Sequence, residues 1–257
     1  MAKIQALTSW EKALADAATK AAGKEAASAS VGQFFSIRGG QLSWGGTPIP
    51  GSQMGCVILA STIERVYYEG AFDPKNPSSP TCYAFGDDLN EMQPFEQVEN
   101  KQGDACSTCP QNEWGTSNSG IGKACRELRR ISLISGGSYD PAGRFQMFDA
   151  DEFKAAAAGM LRVPTTSIKN YSGWVMQVTS ALRRPPWGVI CRVKVEPDPN
   201  SQVRVLFETQ AELPTELLEA VHSRVAAAEK TLVFAYPKGP DKPAAPKAGR
   251  GRNTKFT

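Results

Sequence analysis

The sequence predicts an α+β protein: a β-rich core with a four-cysteine metal-binding insertion, accompanied by helices and a β-hairpin. Three observations lead there. Short apolar runs bounded by Gly and Pro recur through the first half of the chain, which is how strands read. Apolar residues at helical spacing return only near the N-terminus and in the second half. Between them, residues 82–125 hold four of the six cysteines in polar, glycine-rich surroundings. Hydrophobic residues make up 41% of the 257, enough for one core.

Taken in order, residues 1–30 read as a helical arm and linker. Leu7, Trp10, Leu14 and Ala18 share a face behind a Thr8-x-x-Glu11 capping box. The folded domain is expected over 31–236. Residues 34–38 and 41–44 form a hairpin about Gly39-Gly40, and a β-rich stretch runs from 56 to 69. Pro74, Pro77 and Pro80 exclude regular structure from 73–80. Strands follow at 128–134 and 144–148, then a short helix from Asp149 through Leu161. A second helix starts at 164–167, turns Ile168, Tyr171, Val175, Val178 and Leu182 inward, and stops at Arg183-Arg184-Pro185-Pro186. A hairpin pairs 189–195 with 203–207, turning at 197–200. The last helix begins near Pro214 and buries Leu217, Leu218, Val221, Val225 and Leu232. Residues 237–257 are rich in Pro, Lys, Gly and Arg and are expected to be a disordered basic tail.

Cys82, Cys106, Cys109 and Cys125 are the candidate metal ligands. Cys106-x-x-Cys109 presents two thiols from one turn, and two further thiols complete a tetrahedral shell. The segment around them contains Gly103, Asp104, Asn112, Thr116 and Ser117 and few apolar residues. A metal would offset the entropy of ordering so long a loop. Unrelated buried thiols or redox use of the Cys-x-x-Cys are the competing readings. Zinc is favoured, although four thiolates also serve an iron–sulfur cluster. Cys56 and Cys191 lie in apolar runs and read as core thiols. Four thiolate ligands leave no open position for chemistry.

The net charge is only +3, so the placement of cations matters more than their sum. Lys123, Arg126, Arg129 and Arg130 cluster beside the last cysteine. Lys169, Arg183, Arg184, Arg192 and Lys194 form a second set, and Arg38 stands in the first hairpin. Trp44, Tyr67, Tyr68 and Trp114 are the candidate stacking aromatics. Cations beside aromatic rings hold single-stranded nucleic acid without base specificity. His222 is the one histidine, which excludes His-pair chemistry. Acidic clusters at Asp87-Asp88-x-x-Glu91 and Asp149-x-Asp151-Glu152 could suggest a nuclease, but no enzyme is expected. No apolar run is long enough for a spanning helix, and no secretory leader precedes the body, so a cytoplasmic protein is expected.

Several blocks resemble a family of tailed-phage proteins: Phe34-Phe35-Ser36-Ile37-Arg38-Gly39-Gly40, Tyr67-Tyr68-Glu69-Gly70-Ala71-Phe72-Asp73-Pro74, Cys82-Tyr83-Ala84-Phe85-Gly86 and Cys106-x2-Cys109-Pro110-x-Asn112-x-Trp114-Gly115. Gly122-Lys123-Ala124-Cys125 and Arg183-Arg184-Pro185-Pro186 belong to the same resemblance. It implies an OB-like core and single-stranded DNA binding in phage replication or transcription, inside the infected bacterial host. The alternative is a zinc-containing interaction factor that docks on a polymerase or another replisome partner. The basic C-terminus departs from the acidic recruiting tail common among single-strand-binding proteins.

Overall fold

A computed structural model describes residues 34–70, 78–140 and 142–236, with Trp10, Ala13, Leu14 and Ala17 of the N-terminal segment. Those four positions are helical and exposed; the rest of the predicted arm, and the basic tail, lie outside the described residues.

The chain is α+β and strand-rich, and its sheets are antiparallel. The predicted first hairpin forms: β1 (Phe35–Arg38) pairs β2 (Gln41–Trp44), and β3 (Thr47–Pro48) adds to it. Gly39 and Gly40 both take positive φ, the backbone that a two-residue hairpin turn demands. The predicted stretch from 56 to 69 is one long strand, β4 (Gln53–Tyr67). It organises the main sheet with β5 (Cys82–Gly86), β6 (Arg126–Ser135), β9 (Ala158–Val163), β10 (Val189–Asp198) and β11 (Gln202–Glu212). The strand order is β11-β10-β4-β6-β9, and β5 also pairs β4. A small hairpin of β7 (Gly137–Tyr139) and β8 (Phe145–Met147) branches off after β6.

Among the described residues three helices cover this sheet on both faces. They are α1 (Ala150–Ala155), α2 (Ile168–Ala181) and α3 (Thr215–Leu232). On one face Tyr171, Trp174 and Val178 of α2 pack on Cys56, Ile58, Ile131, Leu133 and Val193. On the other, Ala220, Val221 and Ala228 of α3 and Phe153 of α1 pack on Val57, Leu59, Ile134 and Ile190. Burial on both sides explains why Cys56-Val57-Ile58-Leu59 is a continuous apolar run rather than an alternating one. A bulge at Leu59 resets the register of β4 against β6. Among the described residues β11 and β9 do not pair with each other, so the sheet is open at those two edges. No helix among them is long and apolar enough to cross a membrane.

The second hairpin and the last two helices stand where the sequence puts them, although the hairpin strands run longer and turn later, through Pro199 to Ser201. One element departs. The helix expected to continue through Leu161 ends at Ala155, and residues 158–163 are strand β9. The alanines permit a helix, but Met160, Leu161 and Val163 are buried when paired to β6. Gly159 also lies under the Trp44 and Phe35 rings, where an added Cβ would stand 2.3 and 2.6 Å from ring atoms. Tertiary burial overrides local propensity here.

At the end of β4, Glu64 and Arg130 form a pair with no exposed surface. Arg130 donates Nε to Glu64 Oε2 at 3.0 Å and Nη2 to Oε1 at 2.5 Å. Its Nη1 donates to the Leu232 carbonyl at the end of α3, 2.8 Å away. Removing one member of such a pair strands the other charge. Arg130→Met should destabilise the fold by about 3–5 kcal/mol in urea unfolding, and adding Glu64→Gln should recover part of that loss.

Candidate metal centre and nucleic-acid interface

The cysteine-rich segment packs on the exposed end of β4 and β5. Strand alternation turns Tyr83 and Phe85 toward the α3 face, and Cys82 and Ala84 the other way, beside Arg65. The underside of the segment is more apolar than its sequence suggests. Met92 and Leu89 pack with Ile63 and Ala84, while Val98 and Phe95 pack with Val66 and Tyr83. Hydrogen bonds tie down the rest. Cys106 N donates to Met92 O at 2.9 Å, Cys125 N to Gln111 O at 2.8 Å, and Asn112 Nδ2 to Cys106 O at 2.9 Å. Arg65, itself buried, donates Nη1 to the same Cys106 carbonyl at 3.1 Å.

All four predicted cysteines line one cavity of about 20 Å³, with Gly103, Asn112, Arg65 and Ala84 also in its lining. That volume suits a single water-sized occupant. The Cys109 thiol donates to the Gln102 carbonyl at 3.6 Å. Burial pushes the Cys106 thiol up to about 11 and the Cys125 thiol to about 12, with the Arg65 guanidinium opposing it in both. Burial raises Cys82 as well. Neighbouring thiols add to the rise at Cys82, Cys106 and Cys125. Among the described residues, no three His, Cys, Asp or Glu side chains are already gathered into a metal-holding cluster. The thiols share a wall without a closed shell. Cys56 and Cys191, as expected, are fully buried in the core, opposite each other on β4 and β10.

The predicted nucleic-acid residues divide three ways. Tyr67, Tyr68, Lys123 and Arg126 come together along one groove of about 1200 Å³, bordered by Arg162, Tyr236 and the acidic Glu69. Arg126 stands over the Tyr68 ring at 6.0 Å, and Lys123 Nζ donates to Asn112 Oδ1 at 3.1 Å. Trp114 is 78% exposed at the tip of the cysteine segment, outside the groove lining. Arg38, Lys169 and Arg183 are exposed elsewhere. Arg129 is half-buried on the α2 side of the sheet.

One assignment needs correction, and two further residues are partly engaged elsewhere. Arg130 is fully buried, its guanidinium between the Phe85 and Phe234 rings at 4.5 and 4.4 Å and its donors taken by Glu64, Leu232 and Tyr236. It cannot reach a phosphate. Arg184 is structural: it donates to the Gly188 and Leu213 carbonyls and pairs with Glu212 at 2.9 Å. Trp44 packs against Phe35, centroids 4.3 Å apart, and against Gly159, so its ring has a partner already. Arg162, missed in the sequence, borders the groove; it pairs with Glu64 at 3.3 Å and lies over the Phe34 and Tyr236 rings. Its only sequence signal was a lone cation in an apolar run. The acidic cluster at 149–152 is a capping box: Asp149 accepts from the Asp151 and Glu152 amides, and Glu152 accepts from Asp149 N.

The thiol shifts have a consequence for the metal-free protein. A thiol whose pKa is raised by burial favours folding while the unfolded chain keeps the same thiol protonated. That contribution is complete below the ordinary value of 9.0 and is lost as the pH rises from there through about 11 and 12. Thermal melts of metal-free protein should therefore fall above pH 9, and Cys125→Ser should flatten the decline. No family model, no curated protein and no solved structure matches the chain, so the site is read from its own residues.

Proposed function

We propose that the chain binds single-stranded DNA, without base specificity and without catalysis, in the groove beside its cysteine segment. The observation that carries this reading is the joint placement of Tyr67, Tyr68, Lys123 and Arg126 along that groove. At about 1200 Å³ it exceeds the roughly 300–1,000 Å³ of small-molecule pockets, and Ser117, Asn118 and Ser119 give it a polar wall suited to a polymer. Lysine and arginine neutralise phosphates while tyrosine rings offer stacking faces. The resemblance to tailed-phage proteins supports a role in phage replication or transcription. The reading needs no closed OB-like barrel, because the groove is built where the cysteine segment meets β4 and β6.

Cys82, Cys106, Cys109 and Cys125 are proposed to hold one structural zinc ion. Support comes from four thiols on a cavity sized for one small occupant. Ligation would draw the sulfurs inward and release thiol protons, so affinity should rise with pH. The zinc would fix the turn that carries Lys123 and leads into Arg126 at the start of β6. A second reading, docking on a polymerase or another replisome partner, is favoured by one observation. Trp114 and Ile121 are 78% and 82% exposed, and Gly115 N bonded to Gly122 O at 2.8 Å closes the loop between them.

Binding of a labelled thymidine oligonucleotide across a salt series tests the main reading. The chain should bind with a steep negative slope of log K on log salt. Lys123→Ala with Arg126→Ala should shrink the slope by about 1.4, and Tyr68→Ala should cost about 1–3 kcal/mol. Absence of binding at low salt sinks it. Trp114→Ala separates the second reading, which expects partner capture lost and DNA binding kept. Elemental analysis tests the metal: one zinc per chain is expected, and Cys82→Ser and Cys106→Ser should each abolish it.

A further inference from the structure

Four thiolates around a divalent ion carry two net negative charges. Burying that charge is costly unless an opposite charge lies beside it. Most of the cavity lining offers none: Gln102, Gln111 and Asn112 bring amides, and the remaining groups are apolar, aromatic or thiol. Arg65 is the one cation in that lining.

Arg65 reaches the cavity through its place on β4. Glu64 turns to the other face, where Arg130 and Arg162 answer it, so alternation sends Arg65 to the cysteine side. Arg65 is 6% exposed. Its Nη1 donates to the Cys106 carbonyl at 3.1 Å, at the first residue of the Cys-x-x-Cys turn. Its Nη2 lies 3.7 Å from Glu127 Oε2, too far for a hydrogen bond, and that carboxylate is partly exposed. Its Nε is buried and has no acceptor among the described residues. A buried N–H left without an acceptor is both costly and rare. The guanidinium thus holds a charge that Glu127 neutralises only in part, and a donor to spare. The neighbouring lysines differ: Lys101 is exposed, and Lys123 is half-buried with its Nζ on Asn112 Oδ1.

We infer that Arg65 is the counter-cation of the four-thiolate site, balancing the buried negative charge of the metal-loaded cysteines and so raising their affinity for a divalent ion. This rests on the structural-zinc reading above. A guanidinium offers donors and no acceptor, so Arg65 does not ligate; it acts through the cysteines. Its hydrogen bond to the Cys106 carbonyl holds it beside the turn whose charge it balances. Glu127 opposes it, because that carboxylate draws on the same positive charge.

Chelator competition for zinc at one fixed pH tests this on four full-length chains: wild type, Arg65→Lys, Arg65→Gln and Glu127→Gln. Arg65→Gln keeps a donor for the Cys106 carbonyl but loses the charge, and zinc affinity should fall about 10–100-fold. Arg65→Lys keeps the charge and should retain most of the affinity. Glu127→Gln releases the guanidinium from its carboxylate, and affinity should rise at least about twofold. The gap between Lys and Gln at position 65 should persist in high salt, which screens exposed Lys101 but not a buried cation. Cobalt(II) absorption should report four thiolate ligands in every chain. Equal affinity of Arg65→Lys and Arg65→Gln, or no gain in Glu127→Gln, would overturn the inference and leave the zinc reading standing. Fewer than four thiolates in Arg65→Gln would overturn it too, by placing the effect on ligand geometry. If Arg65→Gln fails to fold, Glu127→Gln decides alone, because it leaves Arg65 in place. A wild-type chain that takes up no zinc would end both readings.

Discussion

The pair of Glu64 and Arg130 is the constraint on which the other elements converge. Burying two charges is costly, and their attraction offsets that cost only when every remaining polar atom finds a partner. Here each partner belongs to a different element. Glu64 stands on β4, Arg130 on β6 and Arg162 on β9, while Leu232 ends α3 and Tyr236 closes the chain's path over the site. Phe85 and Phe234 sandwich the guanidinium and exclude water from it. The cluster therefore demands that three strands, a helix and the segment after it be in place together. Arg162 and Tyr236 then face the groove, so the same cluster shapes part of its wall.

Arg65, one residue from Glu64, plays the corresponding part on the opposite face. Alternation along β4 sends it toward the cysteine segment, where it holds the Cys106 carbonyl and lies 3.7 Å from Glu127. Adjacent residues of one strand thus tether the C-terminal segment on one side and the cysteine segment on the other. Tyr236 and Arg162 of the first attachment line the proposed groove. A metal at the four thiols would reinforce one wall; it would not be the sole source of order, because Met92, Phe95 and Val98 already give the segment an apolar base.

Much of this was legible in the sequence, for reasons that particular residues make plain. Gly39-Gly40 between two alternating runs can do little but turn, and Tyr171, Val175 and Val178 at helical spacing had to face a core. The convergence of the four cysteines on one cavity followed from their spacing and chemistry. Strand β9 was not legible: the alanines at 155–158 satisfy a helix, and pairing of Met160, Leu161 and Val163 to β6, with the rings of Phe35 and Trp44 over Gly159, decides otherwise. The apolar base of the cysteine segment was hidden because Met92, Phe95 and Val98 are dispersed among polar residues and become a cluster only against β4 and β5.

The basic run after Cys125 shows most clearly where sequence reasoning stops. Arg126 and Arg130 lie on one face of β6, four residues apart, and their side chains are chemically identical. Arg126 stands at the strand's end beside the Tyr68 ring and is exposed; Arg130 lies where α3 and the chain beyond it cross the sheet and is sealed. Period-two alternation assigns both to a face, but says nothing of what crosses that face. The signal for a buried Arg130 was instead the isolated Glu64 in the apolar run of β4. A carboxylate among Thr62, Ile63 and Val66 is stabilised by a cation inside the protein, and Arg130, with Arg162, supplies it. Counting cations toward a nucleic-acid surface therefore requires first subtracting those that buried acids claim.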